Sequence, residues 1–387
     1  MSVAIVGGGA AGLFAACVLK KYGVSFTLFE RENRVGKKLL ATGNGRCNLS
    51  NIELDISRYH GQTAFAEYAL SEFNQYSLMD FLREIGILCT AENDKIFPRS
   101  LQASSVLDML RLYVGDISVE TEVLSIKKEK NKYNLNTTKG QMQFEKVIVC
   151  PGGKASRKLS GGGSYNLLCD LGYTLTKLTP AIVQLKCDGT KALEGIKTDA
   201  LVSVGDRKEF GEVLFTSYGL SGPPILQVSR DAKGKQLKLD IANDLSFKEI
   251  TDILTERKQL KHLTLENLFT GILNKKIGQY VLKRAEVVPL SRNVESLTTH
   301  EIKAIASAVK GLTFEITDTN GFDNAQVTAG GIDVKDFNPQ TMESKLHKGL
   351  YAAGEILNID GDCGGFNLQW AFSSAYIAAR SIVGGAE

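Results

Sequence analysis

Near its start the chain reads Val3-Ala4-Ile5-Val6-Gly7-Gly8-Gly9-Ala10-Ala11-Gly12-Leu13. An apolar, β-branched run ends in glycines and passes straight into a helical pattern. Leu13, Ala16, Cys17 and Lys20 fall on adjacent turns, and Gly23 closes the helix. Ser25 to Glu30 reads as a second strand, completing one βαβ unit. The spacing Gly7-x-Gly9-x-x-Gly12 gives each glycine a task. Gly7 makes the tight turn, Gly9 lets the backbone approach a pyrophosphate, and Gly12 lets helix and strand pack closely. Ala10 and Ala11 stand where a helix N-terminus presents unpaired N–H groups and a positive dipole end to phosphate. Glu30 follows Gly12 by 18 residues, where an acid accepts hydrogen bonds from an adenosine ribose and disfavours a 2′-phosphate. This stretch therefore predicts a Rossmann-like α/β domain that binds a dinucleotide.

Beyond Glu30 the chain does not continue as a nicotinamide dehydrogenase would, with another βαβ unit. Arg34 to Lys38 and Thr42 to Asn48 form a loop rich in glycine, cations and amides, suited to lying along an extended cofactor. Two helices are expected between Gln62 and Gly86 and one over Ala103 to Val114. The period then changes to two. Val119–Lys127, Lys132–Thr138 and Gln141–Val149 read as three consecutive strands, the last ending in Pro151-Gly152-Gly153. Short strand-like runs fill Ile182–Lys186, Ala200–Val204, Glu212–Phe215 and Leu237–Ile241, and Ser246 to Arg284 reads as helical. The glycine-rich style returns at about Val327. Leu350 to Glu355 is a strand ending in a polar turn, Asp360 to Asn367 a loop, and Leu368 to Arg380 an apolar, small-residue helix. The N–H groups at Gly364 and Gly365, just before that helix, would suit the pyrimidine edge of an isoalloxazine, whose reduced form is anionic. The division expected is a discontinuous main domain over 1–180 and 325–387. A β-rich insert covers 181–244 and 311–324, and a helical insert 245–310.

Composition narrows the classes. The 387 residues include 46 Lys and Arg against 43 Asp and Glu, a net charge of +3, too small to make nucleic acid or an anionic membrane the expected partner. Residues 245–310 carry eleven Lys/Arg and seven Asp/Glu, which reads first as a solvated helical face. The longest apolar run near the N-terminus, Ala10–Leu19, is about half of what a bilayer needs. Seven scattered cysteines without a C-x-x-C pair argue against a disulfide framework or a zinc site, and the four histidines lack metal-ligand spacing. With no basic leader ahead of Val3, a cytoplasmic location is expected.

Taken together, the chain resembles the two-dinucleotide-binding-fold flavoproteins and, more narrowly, the BaiN-like, YhiN-like and aminoacetone-oxidase-like FAD proteins. The stretches that carry the resemblance are GGGAAGL (7–13), RVGKKLLATGNGRCNLSN (34–51), IFPRSLQASSVLDML (96–110), GEVLFTSYGLSGPPILQVSR (211–230), QVTAGGIDVKDFNPQTMESK (326–345) and GLYAAGEILNIDGDCGGFNLQWAFSSAYIAA (349–379). The resemblance implies a β-barrel-like domain inserted in the FAD domain, with a small helical insert. It implies FAD contacts at Gly7, Gly9, Ala10, Ala11, Gly12, Glu30, Arg31 and Lys38, and at Gly43, Gly45, Arg46, Cys47 and Asn48. Further contacts fall on Val123 through its backbone, and on Gly354, Glu355, Gly365, Phe366, Asn367 and Leu368. Members are described as bile-acid-type steroid reductases or dehydrogenases, or as aminoacetone oxidases. The expected activity is therefore hydride exchange between flavin N5 and a small or steroid-like substrate, leaning to enone reduction. NAD(P)H would be a transient electron donor without a Rossmann unit of its own. An oxygen-using amine oxidase is the enzyme alternative, and a flavin-bearing RNA-associated protein the alternative from another class.

Relatives often carry Phe-Thr-His where this chain has Phe215-Thr216-Ser217, so a histidine acid/base role does not transfer. Tyr218 is the substitute candidate, against a packed structural tyrosine. Cys47 and Cys363 read as small buried residues near the cofactor or as a redox pair. Arg46 either binds a ligand or pins its loop, Trp370 belongs to the core, and Asp360 or Asp362 could cap the last helix. Gly161–Gly163 lacks the Lys-Ser/Thr of a phosphate loop and reads as a turn.

Overall fold

The computed structural model describes residues 1–230 and 232–384. The chain divides into two compact units. One comprises Met1–Pro180 and the chain from Ala325 onward; the other is Ala181–Asn324.

In the first unit a four-stranded parallel sheet is centred on β1 (Ser2–Val6). On one side lies β2 (Ser25–Phe29), with Ala4 opposite Thr27; on the other lies Lys146–Val149, with Ala4 opposite Val147. Leu350–Ala352 completes the order. Val3, Ala4, Ile5 and Val147 to Val149 are all fully buried, as strands covered on both faces must be. The connecting helix α1 (Ala10–Lys21) packs on the C-terminal helix Phe366–Gly384. Phe14 lies 4.9 Å from Phe372 and 4.8 Å from Phe81, ring centre to ring centre. The C-terminal helix runs longer than the expected 368–380, and its small residues Ala375, Ala378 and Ala379 are fully buried.

The run Gln141–Val149 is not one strand. Gly140–Phe144 closes a three-stranded antiparallel sheet with Val123–Glu129 and Lys132–Thr137, and the chain crosses at Glu145 into the parallel sheet. Period-two patterning is shared by both pieces, so it cannot mark the point where one sheet ends and another begins. There Phe144 meets Phe29 edge-on at 5.7 Å, and the Glu145 N–H donates to Ser2 O. Residues 119–122, read as part of a strand, stay outside it.

The second unit is a closed six-stranded barrel. Its order is Leu185–Cys187, Gly219–Ser221, Arg207–Thr216, Lys197–Val204, Gln236–Asp240 and Leu312–Thr319, which pairs back to the first. The helical segment shares this core, with Leu254, Val281 and Ile305 buried together with Val202, Phe215 and Leu239. Its first part breaks into helices Phe247–Arg257 and Lys275–Arg284, followed by Thr299–Lys310. Ser246 with Glu249 and Thr298 with Glu301 form capping boxes, and the bonds from Thr298 and Arg292 hold the Glu301 carboxyl below its ordinary range. No helix among the described residues is long and apolar enough to cross a membrane.

Candidate functional site

The glycine turn between β1 and α1 is shaped by contact rather than by flexibility. Gly7 has φ +112°, and a Cβ there would lie 2.5 Å from Cys150 O. A Cβ on Gly12 would lie 1.8 Å from Gly7 O. Helix and turn can pack this tightly only without side chains at either position. Gly9 is the opposite case: a Cβ there meets nothing within 4 Å, so space is open over the start of the helix. No side chain caps α1, and its first turn holds no acid. The leading N–H groups and the positive end of the helix dipole thus remain available to an anion.

A cleft opens at this point. It is lined by Gly7, Gly9, Glu30, Arg31, Lys38 and Val123 among others. Glu30 holds its place through two backbone donors, Gly8 N–H at 2.8 Å and Glu32 N–H at 2.8 Å. The Gly36 N–H donates to Gly8 O, which lays the second loop over the turn. Arg31 lies 3.8 Å from Glu32 and 3.7 Å from Glu122. The pairing register slips between Val123 and Ser125, a local irregularity at the strand end that borders the cleft.

The other expected residues belong to the same unit and are tied to the turn in steps. Gly354 abuts α1, where its Cβ would lie 3.1 Å from the Ala11 Cβ. Its N–H donates to Ser374 Oγ, and its carbonyl accepts from Trp370 Nε1 at 3.2 Å. Glu355 bonds Lys38 Nζ at 2.6 Å and accepts from the Thr328 N–H at 2.8 Å. In the loop, Gly43 and Gly45 adopt positive φ. Arg46 is committed to Glu92 and to the face of Phe97, 4.4 Å from the ring centre, so it pins the loop. Cys47 is fully buried, and burial pushes its thiol up to about 12. The neighbouring Asn48 Oδ1 is buried with no hydrogen-bond partner. An orphaned buried acceptor of this kind calls for a donor from a ligand or water.

At the start of the C-terminal helix, Gly365 has φ +106° and a Cβ there would meet Ser50 O at 2.3 Å. Asn51 Nδ2 donates to Gly364 O, Tyr59 OH to Phe366 O, and Ser50 Oγ to Gln369 Oε1. Asn367 is spent on its own loop: Oδ1 accepts from Gly361 N–H and Nδ2 donates to Gly361 O. Phe366 is buried and Leu368 half-buried. Asp362 does not cap the helix; it binds His60 Nε2 at 2.7 Å and lies 3.5 Å from Arg58. Asp360 and Gly361, read as loop, belong to a short strand Ile359–Gly361 against Tyr59–Gly61. All seven cysteines are free thiols, and burial raises Cys363 as well. Tyr218 lies in the barrel unit, in the turn between Arg207–Thr216 and Gly219–Ser221, and is exposed.

Several partners escaped the sequence reading. Thr328, Ser374, Gln369 and His60 act across separations of 20 to 319 residues, where no local periodicity reports them. Only the alternation Asn358, Asp360, Asp362 hinted at a polar strand face.

A family described as HI0933-like protein Rossmann domain matches residues 1–381. A 3-dehydro-bile acid delta(4,6)-reductase of Clostridium scindens is 35% identical, covering 98% of both chains. Ribosomal RNA dihydrouridine synthases of Haemophilus influenzae and Escherichia coli are 29% and 26% identical, each covering 98% of this chain and 97% of their own.

Proposed function

The chain belongs to the HI0933-like Rossmann family and is an FAD-dependent oxidoreductase; from that premise we propose that it saturates a carbon–carbon double bond conjugated with a carbonyl. The supporting observation is chemical. The two kinds of protein to which the chain is similar end to end differ in substrate but agree in reaction. One is named for the Δ4,6 bonds of a 3-oxo bile acid. The other is named for dihydrouridine, which is uridine with its 5,6 double bond saturated. We take a 3-oxo-Δ4 steroid of bile-acid type as the leading substrate, on the higher identity. NAD(P)H is the proposed electron donor. Uridine in ribosomal RNA is the second reading, favoured by the net positive charge of residues 245–310.

The chain's residues fit FAD. The uncapped start of α1 and the open space over Gly9 accept a pyrophosphate, and Glu30 faces the place of a ribose. Val123 borders the same cleft, and Asn48 Oδ1 offers an unsatisfied acceptor. Lys38, Glu355, Gly43, Gly45, Cys47 and the Gly365–Leu368 helix start would hold the rest. Bound FAD supplies hydride transfer at its N5. The protein's part is to hold the ring, exclude water and place the double bond against it.

The test is anaerobic. The yellow protein is mixed with NADH or NADPH, and bleaching of the visible flavin band is followed. A 3-oxo-Δ4 steroid or a uridine-containing ribosomal RNA fragment is then added to the reduced enzyme. Recovery of the band with the steroid supports the leading reading, and recovery with RNA alone replaces it with the second. Recovery with neither overturns both, and aminoacetone with oxygen would then be assayed for peroxide.

A further inference from the structure

Adding hydride to a conjugated double bond leaves an enolate that must collect a proton, and the groups around the proposed flavin end differ in their ability to give one. The Cys47 thiol is buried and pushed up to about 12. Burial also pushes the Tyr59 phenol well above its ordinary range, and its O–H is committed to Phe366 O. His347 Nε2 is bonded to Leu171 O, away from this segment.

His60 is different. It sits on the short strand Tyr59–Gly61, paired antiparallel with Ile359–Gly361, and from Gly361 the chain runs through Asp362 and Gly365 directly into the C-terminal helix. Its Nε2 lies 2.7 Å from Asp362 Oδ1, with the imidazole 19% and the carboxylate 17% exposed. The ring's Nδ1 has no hydrogen-bond partner among the described residues. The two residues before His60 grip the helix start. Tyr59 donates to Phe366 O, and the Arg58 guanidinium lies 5.4 Å from the Phe366 ring centre. The charged groups placed beside the imidazole are Asp362, Arg58 next to that carboxylate, and Asp360 directly across the strand pair.

We propose that His60, oriented by Asp362, is the proton donor of the reduction. This rests on the reading of the chain as a reductase of a carbonyl-conjugated double bond. When bound and reduced, FAD would supply the hydride, two electrons with one hydrogen nucleus, that adds to the β-carbon. The π electrons move toward the carbonyl, and the imidazolium gives its Nδ1 proton to the α-carbon. Oxidised FAD, saturated substrate and neutral imidazole remain, and water restores the proton. Asp362 keeps the ring in the tautomer with hydrogen on Nε2 and offsets the charge of the imidazolium.

Two measurements test this in the FAD-loaded protein. In the first, the enzyme is reduced with dithionite and mixed with the steroid, or with the RNA fragment if that is the substrate found. Reoxidation of His60→Gln is expected to be about 10²–10³-fold slower than that of the wild type. The wild-type rate should fall as pH rises, and the slow residual rate of H60Q should lose that dependence. A rate within threefold of wild type, or an unchanged pH profile, overturns the assignment. In the second, ¹⁵N NMR of labelled histidine reads the tautomer without any turnover. The signals of His60, identified by their loss in H60Q, should show hydrogen on Nε2 in the neutral wild-type ring, and Asp362→Asn should erode that preference. A wild-type ring with hydrogen on Nδ1 overturns the dyad. If wild-type enzyme is reoxidised by neither substrate, the functional reading fails; if it is reoxidised and H60Q keeps pace, only the role of His60 fails.

Discussion

Two helices of the same unit begin at glycine turns, and the beginnings are built in opposite ways. The start of α1 is empty of side chains. Gly9 faces open space, no side chain caps the helix, and backbone packs directly on backbone at Gly7 and Gly12. The start of the C-terminal helix is crowded. Ser50, Asn51 and Tyr59 all bond to it, Asn367 ties it back to Gly361, and Gly365 rests on the Ser50 backbone. The first arrangement exposes N–H groups to a ligand and needs only a short motif. The second positions a helix start through residues gathered from distant parts of the chain. Backbone dipoles can serve ligand binding either way, but only the first leaves a signature that is local in sequence.

The contrast can be broken at either end. The largest effect is expected from Gly12→Ala, whose Cβ would drive into Gly7 O; stability should fall by about 3 kcal/mol or more and flavin should be lost with it. Its control is Gly9→Leu, whose Cβ would meet nothing within 4 Å. Chemical denaturation should show stability within about 1 kcal/mol of wild type, while the purified protein is colourless. A Gly9→Leu protein that keeps its full flavin band would refute the idea that the open space holds the cofactor. Next comes Gly365→Ala, with positive φ and a clash against Ser50 O, expected to cost about 2 kcal/mol in the same denaturation assay. Lys38→Met removes the partner of Glu355 in a pair less than a third exposed. It should cost about 1 kcal/mol and weaken FAD retention on dilution. Tyr218→Phe should be smallest. The ring is 40% exposed in the barrel unit, so stability should move by less than about 0.5 kcal/mol and the reduction rate by less than about twofold. A large rate loss there would return Tyr218 to the acid/base role.

Much of the first unit was legible because its demands are short-range. A tight turn that tolerates no Cβ dictates glycine, and a strand covered on both faces dictates an apolar run, whatever lies elsewhere in the chain. The capping boxes at Ser246 and Thr298 belong to the same legible class, though the helical pattern over 246–284 hid the break between its two helices. The switch of sheets at Glu145 was not legible, since both pieces alternate with the same period.

By itself the sequence determined the strand–glycine–helix start, the acid at the end of β2 and the return of a glycine-rich segment near the C-terminus. Each follows from steric rules acting over a few residues. Tertiary structure alone decided that Lys38 would meet Glu355, that Asp362 would hold His60 rather than cap a helix, and that Arg46 would be spent on Glu92 and Phe97. In the first two, the partners stand about 300 residues apart. They are chosen by which elements pack side by side, and a pairing of that kind depends on the whole packed arrangement rather than on any stretch that could be read alone.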